Sequence, residues 1–179
     1  MSYLRTHNLG LKRNNQWLFQ NLELDIKPGS LVAILGPSGV GKSSLLSCLS
    51  GSEAPTEGRV SLKTQDQELH NSENIRSKLG IIFQSLRLTE HVTVLENVLY
   101  GKLAKYGLKE SIFGFPSKDK EQAFNILSDL GIGHLAYKWT SQTSGGEKQR
   151  TAIARTLFQD PTVILADEPV SNLDTYYAG

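Results

Sequence analysis

At 179 residues, 39% of them hydrophobic and 21% charged, the chain is long enough for one sizeable core and too ordinary in composition for a disordered or fibrous protein. Nineteen Lys and Arg stand against 18 Asp and Glu, so no global basic field points to nucleic acid or an anionic membrane as a direct partner. The single cysteine, Cys48, excludes an internal disulfide, and no apolar run reaches the roughly 18 to 20 residues that cross a bilayer. The N-terminal MSYLRTHNLG lacks a signal-peptide core, so a cytosolic chain is expected.

From Tyr3 to Ile26 apolar and polar residues alternate in two short runs about the polar turn Lys12-Arg13-Asn14-Asn15-Gln16, which predicts antiparallel strands. Lys27-Pro28-Gly29-Ser30 is a turn signal. The continuous apolar run Leu31 to Leu35 then predicts a strand covered on both faces. A glycine-rich turn and a helix from Lys42 to about Leu49 follow, with Cys48 on the apolar side as a small core residue and Gly51 as the stop. Alternation resumes over Glu57–Leu62, lapses in the polar stretch Lys63 to Glu73, and gives way to the apolar Leu79 to Phe83, which ends on Gln84.

Beyond Gln84 the pattern turns helical. Val94, Val98, Leu99 and Leu103 fall near helical spacing within Thr93 to Tyr106, as do Ala123, Ile126, Leu127 and Leu130 within Lys118 to Gly131. Between them, Leu108 to Pro116 is an apolar loop bearing Phe113 and Phe115, which serve either as core anchors or as partner contacts. Ser144-Gly145-Gly146 opens a further helix to about Phe158, with Ala152, Ile153 and Leu157 as its apolar residues. Pro161 ends helix, and Val163 to Ala166 is a short buried strand closing on Asp167-Glu168-Pro169.

Three stretches carry chemistry. Gly36-Pro37-Ser38-Gly39-Val40-Gly41-Lys42-Ser43 fits the phosphate-loop pattern between a predicted strand and a predicted helix. Its glycines let the backbone wrap phosphates with N–H groups inward, and the positive end of the helix adds attraction for the anion. Lys42 meets β- and γ-phosphate charge, Ser43 offers a hydroxyl to Mg2+, and Ser44 completes the nucleotide-binding set. The Asp167-Glu168 pair at a strand end supplies a second magnesium ligand and a carboxylate able to orient and polarise attacking water. Gln84, also at a strand end, brings an amide that can sense magnesium and a neighbouring element. In Gln142-Thr143-Ser144-Gly145-Gly146-Glu147-Lys148-Gln149-Arg150, two glycines at a helix start cost stability that an N-cap serine alone would not demand, so the segment reads as an anion-binding device.

The order of phosphate loop, Gln84, SGGEKQR, ILADEP and SNLD resembles the ATP-binding cassette (ABC) transporter ATPases over the whole chain. The resemblance implies a three-layer α/β phosphate-loop ATPase fold in a single domain, with residues 1–84 and 159–179 as ATPase core and antiparallel β part and residues 85–158 as helical subdomain. It implies a head-to-tail homodimer in which Ser144, Gly145, Gly146 and Glu147 reach the ATP of the other subunit, while Ser171, Asn172, Leu173 and Asp174 line the interface. Gln84 joins Ser43 and Asp167 at Mg2+ and, with Glu168, belongs to the catalytic set. The implied partners are integral membrane permease subunits and, indirectly, a periplasmic solute-binding protein, with the chain peripheral on the cytoplasmic face of the bacterial inner membrane.

Within the family, the stretches Ile82–Leu88 and Val92–Leu103, the loop Ser111–Phe115 with the Lys120–Leu130 helix after it, and the run Ile164–Pro169 are similar to ATPase subunits of bacterial phosphonate importers. Importers of other small solutes, soluble ABC ATPases and a non-catalytic remnant are the rival readings. Three departures stand out. Thr143 and Glu147 occupy positions where the signature has leucine and glutamine. Arg13 stands where the family has an adenine-stacking aromatic, so either its guanidinium or nearby Trp17 takes that part. Finally, the chain stops at Gly179, and none of His7, His70, His91 and His134 lies at the family's switch histidine. In the family a further strand inserts between those of Leu31–Leu35 and Val163–Ala166. Its loss is expected to leave both short of a neighbour, and the chain marginally stable with little ATPase activity.

Overall fold

Alternation between Tyr3 and Arg13 builds the longest strand of the computed structural model, which describes residues 3–64, 67–70, 72–106 and 114–167. Leu4 and Thr6 of this strand, β1 (Tyr3–Arg13), are buried on one face, and then the phase slips so that Leu9 and Leu11 take over. The slip is a bulge. Asn8 adopts φ 48, and pairing with β4 (Glu57–Lys63) jumps from His7↔Arg59 to Gly10↔Glu57, three residues against two. Gly58 makes room for it: at φ +74, a Cβ there would lie 2.2 Å from the Asn8 carbonyl oxygen.

Strand β2 (Gln16–Leu22) returns antiparallel through Asn14 and Asn15, both at positive φ, the conformation of a tight hairpin whose twist matches its strands. Strand β3 (Asp25–Ile26) also pairs with β1, and β5 (Glu68–Leu69) extends β4, giving the order β2-β1-β4-β5. Helix α1 (Lys42–Leu49) lays Leu45, Cys48 and Leu49 into a core with Leu4, Leu9, Leu11, Val60 and Leu62. Cys48 is thus the core residue expected, and burial pushes its thiol up to about 11. The polar stretch after Lys63 holds β5 and helix α2 (Ser72–Arg76), both too short to show a period.

One predicted strand does not form. Residues 31–35 join no sheet and pair with no strand among the described residues, and Leu31 and Leu35 are 99% and 89% exposed. An apolar run becomes a strand only when a neighbour takes its N–H and C=O groups, and no described strand does so here. Strand β6 (Leu79–Ile82) and strand β7 (Val163–Ala166) form a separate two-stranded sheet. Bonds from Thr162 N–H to Lys78 O and from Asp167 N–H to Ile82 O step the same way along both, so these strands run parallel.

The chain divides into one unit of residues 1–80 with 161–165 and another of residues 81–160 with 166–179. In the second, helix α3 (Val94–Leu99) opens on a capping box: the Thr93 hydroxyl accepts from Glu96 N–H and the Glu96 carboxylate accepts from Thr93 N–H. The predicted helix to Tyr106 tightens at Tyr100 into a 3-10 helix through Lys105. Three residues per turn instead of 3.6 swing Leu103 off the apolar face, and it is exposed. Helix α4 (Ser117–Asp129) buries Ala123 and Leu127. Helix α5 (Gly145–Phe158) buries Ala154 and Phe158 against them, while the predicted apolar contact Leu157 faces solvent. Buried Thr151 and Thr156 take part of its place, donating to the Glu147 and Ala152 carbonyls one turn back so that no hydroxyl is stranded. Phe115 packs on this core beside Tyr100 and Tyr106, which makes it an anchor, whereas Phe113 lies outside the described residues.

Asn97, fully buried on α3, ties the unit together. Its amide accepts from Thr89 N–H (2.9 Å) and donates to Thr89 O (2.9 Å) and to the Thr140 hydroxyl (2.8 Å). Backbone bonds from Val94 to Lys138, Thr140 to Val92 and Ser141 to Glu90 close the seam between the segment after Gln84 and the one leading to Ser144. Asn97→Ala strands these buried groups and should cost about 2 to 4 kcal/mol, since each unsatisfied group costs roughly 1 to 3. Urea unfolding of the variant checks this, with an unchanged denaturant midpoint as the contrary result.

Candidate nucleotide-binding site

Gly41 adopts φ 106 and caps α1 with no side chain, and no acidic residue occupies the first turn of this helix. Helices α3 and α5 each spend a capping box, at Thr93 and Ser144, on their N–H groups, and α4, which follows Pro116 and has no side-chain cap, carries Asp119 in its first turn. Helix α1 instead keeps the positive end of its dipole facing the exposed loop 36–40. Leu18 and Phe19 of β2 back Gly41 at 3.5 and 3.9 Å from where a Cβ would stand, which fixes the loop's end against the sheet. The Lys42 ammonium donates to the carbonyl oxygens of Gly36 and Pro37, both at 2.9 Å, so the one cation of the loop is folded back over its own backbone. Ser43 is exposed and Ser44 half-buried on the first turn.

Near the sheet hairpin, the Arg13 guanidinium is held by Glu53 at 2.7 Å. Trp17 keeps part of its indole exposed, with the Lys12 ammonium 5.5 Å from the ring.

In the second unit, Gln84 is exposed just past β6, and Asp167 is half-buried at the end of β7 with its N–H on Ile82 O. Ser144 caps α5: its hydroxyl accepts from Glu147 N–H at 3.4 Å, while the Glu147 carboxylate accepts from Ser144 N–H at 2.7 Å. Thr143, in the leucine position of the signature, is buried with its hydroxyl on Thr140 O at 2.7 Å, so the polar replacement is satisfied locally. At Gly145 and Gly146 an added Cβ would meet nothing within 4 Å. Packing among the described residues therefore gives no reason for either glycine, although each weakens a helix by roughly 1 kcal/mol. Glu168 and Ser171, Asn172, Leu173 and Asp174 lie outside the described residues.

The cap has a pH signature. The Ser144 N–H holds the Glu147 carboxyl below the usual carboxylate range. A depressed carboxylate stabilises the fold above its unfolded pKa and loses that stabilisation as pH falls through the folded value. Glu147→Gln keeps a hydrogen-bonding oxygen but not the titration, so its melting temperature should fall less than that of the parent between about pH 6 and pH 3. Thermal scans across that range test it, and parallel pH profiles would remove Glu147 from the cap's energetics.

The family model for the ABC transporter matches residues 19–171. The phosphonates import ATP-binding protein PhnC 2 of Oceanobacillus iheyensis is 41% identical over 179 residues, covering 97% of this chain and 70% of its own. Among solved structures, an inward-facing ABC transporter assigned to the metal-chelate type superposes with a TM-score of 0.79 at 31% identity, over 97% of this chain and 62% of that one. A dimeric ATP-binding cassette in a post-hydrolysis state with ADP and phosphate gives 0.77 at 31% identity, over 96% and 76%. The chain thus spans a little under two thirds to three quarters of the length of these proteins. With its fold and a family match over most of its length, the chain belongs to the ABC transporter family, among its ATP-binding cassettes.

Proposed function

We propose that this chain binds ATP with Mg2+ at residues 36–44 and hydrolyses it as the energising subunit of an importer for phosphonates. The observation that carries the nucleotide reading is the start of α1, left uncapped behind a left-handed Gly41, with the Lys42 ammonium parked on two loop carbonyls. Those carbonyls are weaker partners than phosphate oxygens, so Lys42 exchanges them for the nucleotide's charge at little cost. Base stacking falls to Trp17, because Arg13 would first have to leave Glu53.

The hydroxyl of Ser43, the Asp167 carboxylate and the Gln84 amide oxygen are hard oxygen donors of the kind Mg2+ takes. Bound there, the ion would neutralise charge on the β- and γ-oxygens. Glu168 orients and polarises the attacking water. Ser144, Gly145, Gly146 and Glu147 serve a second copy's nucleotide, a reading supported by two glycines that no described residue requires and by the dimeric cassette among the similar structures. Ser171–Asp174 line that dimer interface.

Phosphonate as cargo is supported by the names of relatives near 40% identity that match nearly the whole chain. Permease subunits hold the chain at the cytoplasmic face of the inner membrane, and a periplasmic binding protein delivers the solute to them. No described helix is long and apolar enough to cross a membrane itself. A second reading, nucleotide binding without turnover, is favoured by residues 31–35, which lead into the loop yet pair with no described strand.

Lys42→Ala removes two charge-assisted bonds of roughly 1.5 to 3 kcal/mol each and should weaken ATP binding at least about a hundredfold in calorimetry, with the circular dichroism spectrum unchanged. Equal affinity would overturn the phosphate-loop assignment. Glu168→Gln should retain ATP and lose steady phosphate release. An unaltered chain that binds ATP yet releases no phosphate decides for the second reading.

A further inference from the structure

Two consecutive residues just beyond Gln84 stand in the left-handed region without being glycine: Leu86 at φ 55 and Arg87 at φ 47. Each is a conformation that L side chains rarely adopt, and it persists only where the surroundings over-determine it. Local bonds from Leu86 N–H to Phe83 O (2.9 Å) and Arg87 N–H to Ser85 O (2.6 Å) close the turn, and the Arg87 guanidinium lies 3.7 Å from the centre of the Phe83 ring. The turn's two carbonyl oxygens point together at one side chain on another element. Arg155 of α5 donates from Nη2 to Leu86 O and from Nη1 to Arg87 O, both at 2.7 Å.

Seven residues earlier on the same helix face, the Lys148 ammonium holds both carboxylate oxygens of Glu90, at 3.0 and 3.1 Å. Helix α5, which begins at the Ser144-Gly145-Gly146 segment, therefore grips the stretch after Gln84 at two levels about two turns apart.

We propose that Arg155 is a positioning residue: its guanidinium fork, bridging the carbonyls of Leu86 and Arg87, fixes the left-handed turn and with it the place where Gln84 stands. The functional half of this rests on the reading that Gln84 serves the nucleotide site. A planar fork with two parallel N–H donors fixes the direction of both bonds to two adjacent carbonyls, whereas an ammonium can span two carbonyls, as Lys42 does, but from a flexible stem that sets no direction. Any shift of α5 when a second copy meets Ser144–Gly146 is passed through this fork and through Lys148–Glu90 to the segment that begins at Gln84.

The test is residue-resolved amide hydrogen exchange on the whole chain without nucleotide, for Arg155→Lys and Arg155→Met. Exchange at Leu86 and Arg87 should rise at least about tenfold in both variants, while the amides of α5 and of Asn97 stay within about twofold of the parent. Unchanged exchange at Leu86 and Arg87 in Arg155→Lys would overturn the proposal. If Arg155→Met loosens the whole unit, the lysine variant decides: a broad rise there makes Arg155 a packing residue and also overturns it. With MgATP, KM should hold within about twofold and kcat should fall about tenfold. A local rise in exchange with unaltered kcat would sink the link to Gln84. Because the exchange measurement needs no nucleotide, failure of the ATPase reading, seen as no ATP binding by the parent, is distinguishable from failure of the fork.

Discussion

A side-chain cation facing two consecutive backbone carbonyls is the interaction on which both loops that lead the chemistry depend. A tight loop aligns neighbouring peptide dipoles, and the oxygens that result repel one another unless a donor with positive charge lies between them. Lys42 does this for Gly36 and Pro37, and Arg155 does it for Leu86 and Arg87. The two residue types suit opposite uses. An ammonium on a flexible stem can leave for a phosphate, while a guanidinium fork from a neighbouring helix holds a fixed turn in place.

The rest of each unit is built so that these loops need no further support. In the first, the bulge at Asn8 and the close approach of Gly58 re-aim β1 so that Leu9 and Leu11 continue the buried face begun by Leu4 and Thr6, and α1 packs on that face through Leu45, Cys48 and Leu49. The helix is anchored along its length, and its N-terminus can stay uncapped. In the second, Asn97 and the backbone seam from Glu90 to Ser141 bind the segment after Gln84 to the one before Ser144. Buried polar networks of this kind specify one arrangement when every member is satisfied, as here.

Two features of the chain oppose its own stability. Gly145 and Gly146 weaken the start of α5 with no packing return among the described residues, and residues 31–35 expose leucines that a folded domain would ordinarily cover. Both leave space that no described residue fills, around a Cβ at the glycines and over Leu31 and Leu35 in the apolar run. Natural sequences depart from local consistency most often where function or assembly supplies what is missing.

Local periods and caps determined much of this protein from the sequence alone. The hairpin of β1 and β2, helix α1 after Gly41, helix α5 after Ser144 and strands β6 and β7, which stop at Ile82 and Ala166, all lie where alternation, helical spacing and turn residues place them, because each signal acts over a few residues. The phosphate-loop pattern at residues 36–43 is a local signal of the same kind. What only the tertiary structure decided are the partners. An apolar run at 31–35 carries the pattern of a buried strand, but a strand exists only if another offers its ladder, and the pattern is silent on that. Thr151 and Thr156 read as polar and are buried because their hydroxyls turn back on helix carbonyls, while Leu103 and Leu157 read as core and face solvent. The fork of Arg155 joins residues 68 and 69 positions apart, and no spacing in the chain announces it. Contacts between distant residues depend on how helices and loops meet in space, and that is settled only when the whole unit folds.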